Sequence, residues 1–99
     1  MSKEKTFVDE RILDIEELYS IVKSVKRHNV RRAIAKGVLD YKDNFEKLNI
    51  KDARIKSFSA YAAEALTLIA GIAIEKKEAE AAFQETFSRM KEIAKETEE

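Results

Sequence analysis

The sequence predicts an all-α fold, and three observations lead there. Its 99 residues include no proline and only two glycines, too few for the turns of a multi-stranded sheet. Apolar side chains recur at intervals of three and four along most of the chain, the period of a helix rather than a strand. The composition, 44% hydrophobic and 38% charged, is rich in Ala, Glu, Lys, Ile and Leu, which favour or tolerate helix. The length suits one helical domain over residues 1–99, with 1–6 and 97–99 expected to fray.

The first helix is expected to start near Thr6, whose hydroxyl can cap the free amides while Asp9 stands three residues on. Asp9, Glu10 and Asp14 suit the positive end of the helix dipole. Val8, Ile12, Ile15, Leu18, Tyr19, Val22 and Val25 form one stripe. The next apolar set, Val30, Ile34, Val38, Tyr41, Phe45 and Leu48, is turned by about half a circle from it at 100° per residue. A break at His28-Asn29 follows, with Asn29 ending one helix or capping the next, and a second helix over roughly 30–48.

Asn49 offers the next start signal, with Asp52 at the third helical position. The third stripe runs from Ile55, Phe58, Ala62, Leu66, Ile69 and Ile72 on to Ala79, Phe83, Phe87, Met90 and Ala94, interrupted only by Lys76. Residues 75–80 are strong helix formers without a turn residue, so one long helix over roughly 52–96 is favoured over two helices broken near Lys76. The fold is thus three long helices, or four with that break, in an antiparallel bundle. An unbroken third helix would span about 68 Å against about 30 Å for each of the others, so either a second copy covers the excess, intertwined or packed as a dimer, or the first two helices lie end to end along it.

The segment 58–74 has one charge, Glu64, and is apolar nearly all the way round, which marks a helix buried on every side or lying in lipid. Six large apolar residues at about −0.3 to −0.6 kcal/mol each roughly cancel the ~2.5–3.5 kcal/mol of a mid-span carboxylate, and seventeen residues is a short span, so a membrane is disfavoured. Ser59, Ala63, Thr67 and Gly71 recur every four residues, a ridge of small side chains that lets another backbone approach. An ordinary contact within the chain explains such a ridge as well as a subunit interface does. Coverage favours the interface, because two amphipathic helices cannot enclose a third with no polar back. The expected oligomer surface is Ser59, Ala63, Leu66, Thr67, Ile69, Gly71 and Ile72, extended by Phe83, Phe87 and Met90. The expected partner is therefore another copy, as a homodimer or higher oligomer, with another protein also open.

No residue pattern points to catalysis, a metal or a cofactor. His28 is the only histidine, and it stands among cations with no carboxylate to orient it, as a solvated helix-end residue would. No Glu-x-x-His pairs are present for a di-iron bundle. Asp40, Asp43 and Glu46 lie among Lys42 and Lys47 and read as a solvated face, while Glu64 reads as a rim carboxylate or half of an interhelical pair. Gly37 and Gly71 are isolated within helical patterns, not parts of a phosphate loop. The absence of cysteine and of a secretory signal behind Met1 sets a cytoplasmic location as the expectation.

The zero net charge hides an asymmetry. Residues 20–36 carry six cations, Lys23, Lys26, Arg27, Arg31, Arg32 and Lys36, and no anion, between acidic flanks. Three readings fit: neutralisation against an acidic helix, a solvated face, or contact with successive phosphates of DNA or RNA. Helix, break and helix loosely resemble a helix-turn-helix, but no aromatic residue lies within the run to stack on bases. The expectation is a non-enzymatic assembly or regulatory subunit, with a nucleic-acid-binding accessory protein as the alternative.

Overall fold

The computed structural model describes residues 7–97 and contains four helices there: α1 (Phe7–Ser24), α2 (His28–Glu46), α3 (Ala53–Ala73) and α4 (Lys77–Thr97). The Thr6 cap and the fraying expected of 1–6 and 98–99 lie outside the described residues, while Thr97 still belongs to α4. The α1 stripe buries Val8, Ile15 and Val22, with Ile12, Leu18 and Tyr19 partly covered. The break between α1 and α2 falls at residues 25–27, slightly earlier than the expected His28-Asn29, so Arg27 takes the cap position with extended backbone and no side-chain cap. Asn29 instead sits in the first turn, where its side-chain oxygen accepts from the Val30 amide at 3.0 Å. Asp52, not Asn49, caps α3: its carboxylate accepts from the Arg54 amide at 2.8 Å, and that bond is the main reason its pKa is lowered.

The favoured single helix over 52–96 does not form. The chain reverses at Ile74, Glu75 and Lys76, and α4 folds back along α3. Two backbone bonds define the stop: the Glu75 amide donates to the Ile72 carbonyl at 3.0 Å, and the Lys76 amide to the Gly71 carbonyl at 2.9 Å. This is the Schellman pattern, and it requires a left-handed residue after the cap, the place where glycine is usual. Here Glu75 occupies it, with φ of 61°. A side chain in that region costs about 1–2 kcal/mol. Burial of Phe83 and Met90 against the bundle is worth about 1.5–3 kcal/mol each and outweighs that cost.

Helices α1 and α3 run in one direction, α2 and α4 in the other. Phe7 stacks on Phe45, with ring centroids 5.7 Å apart, which joins the start of α1 to the end of α2. A Cβ built on Gly71 would stand 3.1 Å from that of Ala79, which places the end of α3 against the start of α4. Helix α3 is the axis, packed by α1, α2 and α4, whereas α2 and α4 make no contact with each other. Its apolar girth is therefore covered mostly by the same chain. The premise that two amphipathic helices leave it bare is corrected by the third, α4. Among the described residues no helix is long and apolar enough to cross a membrane.

Candidate functional site

Because α2 and α4 stay apart, one strip of α3 faces outward between them. Ala60, Glu64 and Thr67 are exposed, and Leu68 and Gly71 are half-buried. Over this strip lies an open cavity of about 390 Å³ with Thr67, Leu68 and Gly71 on its floor, Ala35 and Leu39 as the α2 wall, and Ala79 and Ala82 as the α4 wall. Leu39 and Ile74, at its edges, are 39% and 55% exposed. A second hollow continues beside Ser59, Ala60 and Ala63 toward Phe45 and Leu48. The small-residue ridge thus lies along this groove. Thr67 donates its hydroxyl to the Ala63 carbonyl in its own helix at 3.1 Å, and Ser59 Oγ is buried without a hydrogen-bond partner.

The expected interface residues divide between two places. Leu66, Ile69, Ile72, Phe83 and Met90 are buried inside the single chain, and Phe87 is half-covered beside Phe83. Ser59, Ala63, Thr67 and Gly71 line the groove and its continuation. Glu64 is exposed at the groove edge, next to Tyr61, Ala82 and Arg89.

The basic run also divides. Arg31 points inward from α2, on the same side as Ala35 and Val38, and its guanidinium spans the ends of two helices. Nη1 donates to the Val22 and Val25 carbonyls at 2.8 and 2.5 Å, Nε to Ala73 at 3.0 Å and Nη2 to Ile72 at 2.7 Å. A planar fork with several donors can reach all four acceptors, and its charge suits the negative ends of both helix dipoles. Lys23 pairs with Glu80 on α4 at 2.8 Å. Lys26, Arg27, Arg32 and Lys36 are exposed, as is His28.

The Lys23–Glu80 pair belongs to a cluster that sequence reasoning missed. Tyr19 donates to the other oxygen of Glu80, and Gln84 donates to the Tyr19 hydroxyl at 2.9 Å. The signal was two i,i+4 pairs, Tyr19 with Lys23 and Glu80 with Gln84, on helices that had to meet. The hydrogen bonds from Lys23 and then Tyr19 hold the Glu80 carboxyl below its ordinary value of 4.5, and the Glu80 bond raises Lys23 above 10.5. Glu80 therefore contributes stability above its unfolded pKa that is lost as pH falls through the lower folded one. Lys23 contributes below its unfolded pKa and loses that as pH rises through its higher folded value. Denaturant melts as a function of pH should show a shallower acid limb for Glu80→Gln than for the wild type.

On the opposite side of α1, Tyr41 donates to Asp14 at 2.7 Å, and burial followed by that bond pushes its pKa up to about 12. Among the described residues no group of three or more His, Cys, Asp or Glu side chains is placed to hold a metal ion. No family model, curated protein or solved structure matches this chain.

Proposed function

We propose that this chain is a non-enzymatic cytoplasmic interaction subunit that assembles with a second copy of itself through the α2–α3–α4 groove and acts in the assembly or regulation of a larger complex. The observation that carries this reading is the open strip of α3, floored by small side chains and bordered by Leu39 and Ile74. A floor of that kind lets α3 of a facing copy approach.

The charges flanking the groove support a second copy as its occupant. On α2, Arg32 and Lys36 stand one turn from Ala35 and Leu39, while on the α4 side Glu78 lines the groove together with Lys76, and Glu85 lies next to Ala82 in the adjoining hollow together with Arg89. Helices α2 and α4 run in the same direction. A two-fold axis along the groove lays α2 of each copy over α4 of the other, so Arg32 and Lys36 of each copy come over the helix that carries Glu78 and Glu85 in the other.

Gel filtration coupled to light scattering at micromolar concentration tests the reading. A dimer is expected, weakening with salt, and Thr67→Arg should raise its dissociation constant by at least about thirtyfold while leaving the thermal melt of the monomer within a few degrees. A wild-type chain that runs as a monomer throughout that range would sink the proposal. Gly71 is unsuitable for this purpose, because a side chain there meets Ala79 within the same chain.

A further inference from the structure

We infer that two copies can exchange α4, with α3 and α4 straightening into one helix so that the α4 of each chain packs on the α3 of the other. Three observations lead to this, and none depends on the groove contact. The first is strain at the hinge. Glu75 holds φ of 61° in a turn of Ile74, Glu75 and Lys76, none of which is a turn-forming residue. A short, strained hinge of helix-forming residues favours the extended state.

The second is register. Leu68 and Ile72 lie eleven residues before Ala79 and Phe83, and eleven residues make about three turns. In a straight helix the α4-facing side of α3 and the α3-facing side of α4 therefore fall on one side. Two such helices laid antiparallel about Glu75 place Gly71 beside the partner's Ala79, the pairing already present in the hairpin. The third is the contact pattern. Helix α4 packs mainly on α3, with a smaller contact on α1 that includes Tyr19 stacked on Phe83 and the bonds to Glu80. All of these can re-form between chains.

Arg31 opposes the opening. In a continuous helix the Ile72 and Ala73 carbonyls accept from the amides of Lys76 and Lys77, and Arg31 loses two of its four acceptors. The hairpin is thus latched by one guanidinium against a strained residue, a balance that protein concentration can tip.

The chain has no cysteine, which permits a direct test. Glu64 and Thr86 line one hollow between α3 and α4. Chains carrying Glu64→Cys alone are unfolded, mixed with chains carrying Thr86→Cys alone, and refolded together at high concentration under oxidising conditions. A disulfide-linked heterodimer is expected, as is an intrachain bridge when both substitutions are in one chain. Solution scattering of the wild-type dimer should give a maximum dimension of at least about 68 Å, set by the 45 residues from 53 to 97, against 42 Å for the longest axis of the closed chain. Glu75→Gly relieves the closed turn and weakens the straight helix, and two hinges contribute per dimer. It should lower the equilibrium constant for the exchanged dimer by about a hundredfold.

A dimer that is no longer than the closed chain and indifferent to Glu75→Gly would overturn the exchange while leaving the groove contact standing. A protein that stays monomeric after concentrated refolding overturns it as well. Thr67→Arg separates the two contacts, since it blocks the groove and leaves the hinge untouched.

Discussion

Replacing Arg31 by alanine should destabilise the protein by about 2–4 kcal/mol. Four carbonyls at the ends of α1 and α3 lose the guanidinium at once, and of these Ile72 keeps the Glu75 amide as a donor. A hydrogen bond to a charged group is worth about 1.5–3 kcal/mol, but the site is only partly buried, and water can replace some of the donors. The sum is therefore well below four full bonds. For a chain of this size each kcal/mol moves the midpoint by about 4–8 °C, so the melt should fall by about 10–25 °C. Arg31→Lys should recover less than half of the loss, because an ammonium cannot span acceptors on two helices. Arg32→Ala, one residue along and exposed, should change stability by less than about 0.5 kcal/mol. Equal effects at positions 31 and 32 would contradict the clamp.

The second large effect is expected at Phe83. It is 1% exposed and stacked between Tyr19, at 4.5 Å, and Phe87, at 5.4 Å. Phe83→Ala should cost about 3–5 kcal/mol, since the removed ring leaves a void under rigid neighbours. The loss falls on the attachment of α4, where Tyr19 also meets Glu80. Urea denaturation followed by circular dichroism measures the cost, and a domain with stability near 5 kcal/mol would keep only about 0–2 kcal/mol, at the low end of which about half of the molecules are unfolded without denaturant. Phe87→Ala, at a half-covered position, should cost about half as much or less.

What could be read in advance divides along the range of the interactions. The stripes of α1 and α2 are local patterns, and they name Val8, Ile15, Val22, Val38 and Phe45 as core. The apolar girth of 58–74 likewise identifies the most buried helix. The turn at Glu75 is not local in that sense. Its left-handed residue is not the usual glycine, and part of its capping comes from Arg31, some forty positions away. Without that turn α4 is absent from the cover of α3, and the balance tilts toward a second copy. The basic run misleads for a related reason, since six cations look alike as letters. A distinguishing mark was present: Arg31, four residues before Ala35 and seven before Val38, shares their helical face, whereas Arg32 does not. The groove was half legible, because the ridge from Ser59 to Gly71 could be named but not which helices would border it.

The position of the axial helix in the chain has a consequence for how the protein comes into being. During synthesis α1 and α2 emerge first, yet they touch each other only slightly, and each finds most of its packing on α3. Until α3 leaves the ribosome, the first half of the molecule has amphipathic faces and little to place them on. Collapse therefore waits for residues 53–73, and α4, appended last, closes over a nucleus that has just formed. A chain that delays its own collapse in this way keeps its apolar stripes available, during that interval, to whatever copy is being made beside it.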